Sequence, residues 1–98
     1  MNRDLHPIDG ARYLLERDEE LEGGIRARYR AAIYTRDAAF TASATLDDRG
    51  SVELDPTGAP EELHARLVTI AKLVARDAGK LRADGMPAWP QRILRWRR

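Results

Sequence analysis

The chain has 98 residues, of which 43% are apolar and 34% are charged, with a net charge of +1 and no cysteine. This length and composition are typical of one modest globular core and exclude a disordered chain. The absence of cysteine excludes disulfides, thiol catalysis and thiolate metal sites, and no apolar run approaches the ~20 residues that span a bilayer. The N-terminus lacks the apolar core of a signal peptide. We therefore expect a single domain over residues 1–98, located in the cytoplasm and without a membrane partner.

The charges are segregated along the chain. Residues 25–36 hold four Arg and no acidic residue, and residues 63–98 hold nine basic residues and two acidic ones. The segments before and between them, 1–24 and 37–62, are acidic. Such blocks indicate either a basic binding surface or acidic and basic segments that face each other in the fold.

The N-terminal part predicts a flexible start followed by a short helix. Residues 1–9 are expected to be flexible. From Ala11 to Glu22 the apolar residues form a thin helical stripe and the rest is strongly acidic. Gly23 and Gly24 would end this helix, because glycine adopts the left-handed conformation at least cost.

Two alternating segments, Ile25–Thr35 and Ala38–Asp47, predict strands joined by a two-residue turn at Arg36 and Asp37. With this turn every apolar residue of one strand lies opposite an apolar residue of the other, which specifies the register. The predicted pairs are Ile33 with Phe40, Ala31 with Ala42, Tyr29 with Ala44, and Ala27 with Leu46.

A third strand, Ser51–Asp55, completes an antiparallel meander. A three-residue loop, Asp48 to Gly50, places Leu46 opposite Val52 and keeps the apolar residues on one face. Such a loop requires a left-handed residue at its third position, where Gly50 stands.

The segment Pro60–Ala83 predicts the one long amphipathic helix. Pro60 suits the first helical position, and Glu61 and Glu62 suit the positive end of the helix dipole. Gly79 is the only unfavourable residue, costing about 1 kcal/mol relative to Ala. We expect the helix to cross the sheet over its alanines. Its apolar residues recur at steps of three and four: Leu63, Leu67, Ile70, Ala71, Val74, Ala78 and Leu81.

Residues 86–98 form a tail rich in Trp and Arg. Pro90 would start a short terminal helix, and Trp89, Ile93 and Trp96 would share a side that docks on the core or on a partner. The predicted fold class is therefore α+β, with a short N-terminal helix, a three-stranded antiparallel meander, a long helix on one sheet face (α-β-β-β-α) and the tail.

Catalytic chemistry has little support in the sequence. The two histidines, His6 and His64, lie in the flexible start and beside the apolar stripe of the long helix. The sequence contains no phosphate-binding loop, dinucleotide fingerprint, zinc-protease motif or calcium loop. We expect no catalytic, cofactor-binding or metal-binding residue, and no cofactor.

Two functions remain open. The first is a small non-enzymatic protein–protein interaction domain that forms a homodimer or binds another protein, because one helix leaves part of the sheet and both its edges uncovered. The second is nucleic-acid binding, unless the acidic N-terminal helix covers the polar sheet face. Its contacts would come from that face and from the tail: Arg26, Arg28, Arg30, Tyr34, Trp89, Arg92, Arg95 and Trp96.

Overall fold

The structure is a computed structural model that describes residues 5–98. It is a small compact α+β fold in which an α-helix lies on a five-stranded antiparallel sheet of order β4-β3-β2-β1-β5. A tight turn whose residues all have positive φ, Glu22–Gly24, joins β1 to β2. The elements in chain order are β1 (Ala11–Leu21), β2 (Arg26–Tyr34), β3 (Ala39–Asp47), β4 (Val52–Leu54), α1 (Glu61–Ala83) and β5 (Arg92–Arg97).

The register predicted for β2, β3 and β4 is confirmed. All four predicted pairs between β2 and β3 are present, as are Leu46 with Val52 and Ala44 with Leu54. The N–H of Thr35 donates to the carbonyl of Ala38 at 2.9 Å, which closes the two-residue turn. Gly50 has φ of 94° at the third position of the next loop. These turns set the register because each joins strands that are adjacent in the sequence.

The predicted N-terminal helix is wrong, since Ala11–Leu21 is strand β1. It lies between β2 and β5 and pairs antiparallel with both. Helix-favouring Leu, Glu and Arg are overridden here because β1 gains hydrogen bonds on both sides and buries Tyr13 and Leu15 under α1. Gly23 and Gly24 do have positive φ, of 68° and 95°, but they form the β1–β2 turn rather than a helix end.

The predicted three-stranded meander with a separate tail is also wrong. The tail residues Arg92–Arg97 form β5, which pairs with β1 from Ala11 to Glu16. A strand alternates its side chains between the two sheet faces, so Ile93 and Trp96 lie on opposite faces instead of sharing a helix side.

The predicted long helix is confirmed as α1, and its buried residues pack on one face of the sheet. Leu67, Ile70 and Ala71 join the same apolar cluster as Tyr29 and Ala31. The helix carries the chain from β4 at one edge of the sheet to β5 at the other edge. We call the sheet face under α1 the proximal face and the opposite one the distal face.

Leu5 and His6 lie on the distal face. Leu5 packs against a second apolar cluster made of Leu14, Ala32 and Tyr34. His6 Nδ1 lies 2.7 Å from the carbonyl oxygen of Thr35. The prediction of a flexible start falls in part on residues 1–4, which lie outside the described residues.

Candidate functional site

The arginines of β2 lie on the distal face. Tyr29 and Ala31 are buried in the proximal cluster, so alternation along the strand directs Arg26, Arg28 and Arg30 to the other side. The sequence prediction placed these three side chains together on the polar sheet face, and the structure has them there.

Acidic residues neutralise two of these arginines. The Arg28 guanidinium lies 3.2 Å from Asp18 and 2.5 Å from Glu19, and Arg26 lies 3.5 Å from Glu22. A register shift between Arg17 and Glu19 marks a bulge in β1 beside Arg28. The acidic segment therefore does pair with the β2 arginines, as a neighbouring strand and not as a covering helix. Exposed pairs of this kind contribute ~1 kcal/mol or less, but they lower the positive potential of the face.

Arg30 has a different environment from its two neighbours. Its side chain is exposed at the centre of the distal face, between Glu16 and Ser43 in the strand register. Within residues 5–98 it has no ion pair. On the far side of β1, Arg92 lies 4.0 Å from Glu16. Of the three β2 arginines, Arg30 is thus the one without an ion pair among the described residues.

The remaining predicted site residues are divided among different parts of the fold. Tyr34 is on the distal face but only 6% exposed, beneath Leu5 and edge-on to His6. Trp96 is 43% exposed on the distal face, where its Nε1 donates to the Asp9 carbonyl at 3.0 Å and the Arg98 guanidinium lies 5.6 Å from the ring centroid.

Trp89 is a core residue. It is 3% exposed, its Nε1 donates to the Gly24 carbonyl at 2.7 Å, and its ring lies edge-on to Tyr29. The next residue, Pro90, accepts a hydrogen bond from the Tyr29 hydroxyl at 2.7 Å, and burial raises the pKa of Tyr29 to about 12. Trp89 therefore fixes the entry to β5 and is not available for a ligand.

The outer edge of β5 is covered by its own side chains. The Gln91 carbonyl points toward β1, where it accepts a hydrogen bond from the Arg17 main-chain N–H. Main-chain groups alternate in direction along a strand, so the carbonyls of Leu94 and Trp96 point away from β1. The guanidinium groups of Arg95 and Arg97 donate to these two carbonyls at 3.0 and 2.8 Å. Charged side chains that occupy an edge in this way oppose the addition of another strand.

The outer edge of β3 is only partly covered. β4 pairs with Ala44–Leu46 alone, and the Asp55 N–H donates to the Ser43 carbonyl at 3.0 Å. By alternation the main-chain groups of Ala39 and Thr41 point to the same side as those of Ser43. Within residues 5–98 they have no main-chain partner there. The sequence indicated that sheet edges would be open but did not identify this one. The signal that could have identified it is the difference in length between β3 and the much shorter β4.

No protein-family model, no curated protein and no solved structure matches this chain. The described part of the chain holds no α-helix with the length and apolarity needed to cross a bilayer. Within the same residues no three His, Asp or Glu side chains come together as a candidate metal site.

Proposed function

We propose that this chain is a small non-enzymatic interaction domain that associates with a second copy of itself along the free edge of β3. The observation that carries the proposal is the set of outward main-chain groups at Ala39 and Thr41. Unpaired strand edges are sites where another strand adds to a sheet by main-chain hydrogen bonds.

The sequence at this edge suits strand pairing. Residues 39–43 contain no charge, proline or glycine, and they include the strand-favouring Phe40 and Thr41. The other end of the sheet differs, because Arg95 and Arg97 occupy the outward carbonyls of β5. The contrast between the two edges favours pairing through β3.

A two-fold axis at Phe40 gives a closed, self-complementary arrangement. In it, Ala39 of each copy exchanges main-chain hydrogen bonds with Thr41 of the other copy. Phe40 lies opposite Phe40 at a position without hydrogen bonds, where opposing Cα atoms are ~4.5 Å apart, and it is only half-buried in the monomer. A pairing this short buries less than the ~1,200 Å² typical of stable complexes, so we expect weak, concentration-dependent association.

Sedimentation velocity from micromolar to near-millimolar protein tests the proposal. The wild-type chain is expected to shift from monomer to dimer. A variant with Ala39→Lys and Thr41→Lys is expected to remain monomeric, because the axis places a Lys of each copy opposite a Lys of the other.

The matched control carries Thr45→Lys and Ser51→Lys. It adds the same charge to the part of β3 that β4 covers and to the adjoining loop, and is expected to dimerise like the wild type. A wild-type chain that stays monomeric at the highest concentration contradicts the proposal, as does a 39/41 variant that dimerises normally.

Nucleic-acid binding through the distal face is the second candidate, and the exposed Trp96 beside Arg98 is the observation that favours it. The ion pairs of Arg26 and Arg28 and the burial of Tyr34 weaken it. A chain that stays monomeric, but whose Trp fluorescence changes with single-stranded oligonucleotide in a strongly salt-dependent way, would favour this candidate over self-association.

A further inference from the structure

A continuous groove separates α1 from β5. Three depressions follow one another along the helix, and each shares lining residues with the next. Counted from the Arg66 end of the groove, the first and second depressions share Ile70 and Leu73, and the second and third share Val74 and Ile93. The groove thus extends from Arg66 to Leu81, which is ~22 Å of helix or four turns.

The groove exists because β5 covers α1 incompletely. The proximal-face positions of β5 are Ile93, Arg95 and Arg97, and of these only Ile93 is apolar and buried. The two arginines line the groove while their guanidinium groups reach the edge carbonyls. On the helix side, Leu73 is 50% exposed. Leu73 is therefore the exposed apolar residue of the groove, and Ile70 and Ile93 lie deeper at its floor.

The rim of the groove is basic. Arg66, Arg95 and Arg97 line it, and within residues 5–98 none of the three pairs with an Asp or Glu side chain. Arg66 donates instead to the main-chain oxygen of Arg98, the last residue of the sequence, at 3.0 Å. Asp77 is the acidic residue along the same groove. A ligand that carries several carboxylates along an apolar stripe would complement both charge and floor.

We propose that the groove between α1 and β5 binds an acidic amphipathic helix of a partner protein. The occupant is a helix, because an added strand would have to displace Arg95 and Arg97 from the β5 carbonyls. Its apolar face lies over Ile70, Leu73 and Ile93, and its carboxylates reach the rim arginines, in the helix-in-groove mode of recognition.

A concave site of this kind favours a protein partner over an anionic membrane. Ile70 and Ile93 are recessed, at 8% and 7% exposure, whereas a membrane-binding surface projects its apolar side chains into the lipid. The site lies at the β5 edge of the sheet, opposite the β3 edge. Self-association and peptide binding can therefore be tested separately.

The probe is a fluorescein-labelled four-turn peptide with Leu along one face and Glu on its flanks, titrated with the full chain and monitored by anisotropy. We expect binding that weakens as salt increases. A Lys-for-Glu peptide and vesicles of phosphatidylglycerol are expected to bind at least about tenfold more weakly. In a separate NMR titration of the isotope-labelled protein, the backbone amide chemical shifts of residues 66–81 and 92–97 are expected to change.

Two variants locate the binding. Arg95→Glu with Arg97→Glu is expected to weaken binding of the acidic peptide by about tenfold or more, since it reverses the rim charge. Arg36→Glu with Arg49→Glu makes the same charge change in the exposed turns of β3 and is expected to alter binding little. Leu73→Ala provides an uncharged test of the floor at an exposed position.

The proposal would be overturned by no binding of the acidic peptide at near-millimolar protein, by equal binding of the Lys peptide, or by equal losses in the 95/97 and 36/49 variants. Tighter binding to the vesicles than to the peptide would assign the groove to anionic lipid instead. The 39/41 Lys variant is expected to bind the peptide like the wild type, so failure of one proposal is distinguishable from failure of the other.

Discussion

Two buried tyrosines differ in whether the hydroxyl has a hydrogen-bond partner. Both Tyr13 and Tyr29 are fully buried under α1. The Tyr29 hydroxyl donates to the Pro90 carbonyl at 2.7 Å, whereas the Tyr13 hydroxyl has no partner within residues 5–98. A buried polar group without a partner loses its hydration and gains nothing in return, so these hydroxyls contribute to stability with opposite sign.

We expect Tyr13→Phe to raise the free energy of unfolding by about 1 kcal/mol, because it removes an unsatisfied hydroxyl at almost constant volume. Tyr29→Phe, the matched change, is expected to lower it by about 1 kcal/mol through loss of the bond to Pro90. Urea unfolding of the three proteins measures both values. A loss of stability in Tyr13→Phe as large as that in Tyr29→Phe would contradict the assignment.

At the scale of the element, β1 shows why a local pattern can be misleading. Leu14 and Leu15 are adjacent, so a helical stripe accounts for them, whereas in the strand they lie on opposite faces and both are buried. A half-buried strand would alternate strictly, but β1 is covered on one face by α1 and in part on the other by Leu5. The alternation of apolar and polar residues is therefore lost at Leu14 and Leu15, because both faces of β1 are buried there.

Gly79 of α1 lies against the loop between β3 and β4, where a side chain would not fit. The sequence identified it as unfavourable in a helix, and the structure supplies the reason. A Cβ at this position would overlap the carbonyl oxygen of Asp48 in the β3–β4 loop. The neighbouring Arg82 reinforces this contact through its ion pair with Asp48 at 3.0 Å.

Gly79→Ala is therefore expected to destabilise the protein, although helix propensity alone predicts a gain of about 1 kcal/mol. The overlap with backbone forces α1 or the loop to move, which typically costs about 1–3 kcal/mol. Thermal unfolding checks the sign, with Lys72→Ala as the control at an exposed position of the same helix. An increase in melting temperature for Gly79→Ala would show that the helix does not approach the loop this closely.

At the scale of the whole molecule, Trp89 anchors the segment between α1 and β5 to the core. It hydrogen-bonds to Gly24, packs edge-on to Tyr29, and its own carbonyl accepts from Arg17 at 2.7 Å. These contacts hold the segment that leads from α1 into β5. Without β5, β1 would become an edge strand with one side unpaired.

We expect Trp89→Ala to lower the free energy of unfolding by about 3–5 kcal/mol, the usual range for a large buried aromatic residue. Trp96→Ala is expected to cost much less, since that side chain is 43% exposed. Urea unfolding separates the two. Equal losses would mean that the two tryptophans are buried alike, as the sequence prediction of a shared helix side implied.

The site residues were predictable to different degrees. Arg26, Arg28 and Arg30 could be assigned to one face because strand alternation fixes it locally. The ion pairs that neutralise Arg26 and Arg28 could not be predicted, because they depend on the position of β1 as the strand next to β2. The β3 edge and the groove between α1 and β5 are defined by what neighbouring elements leave uncovered, and this is decided by the assembled fold.

The sequence by itself determined the β2–β3–β4 register and the extent of α1. In each case the signal is local: a turn between adjacent strands, a glycine at a left-handed position, or an apolar stripe that begins at Leu63, just after Pro60. The tertiary structure alone decided that Ala11–Leu21 and Arg92–Arg97 are strands and neighbours. Their hydrogen bonds join the two ends of the chain, and neither segment carries a signal that specifies its partner.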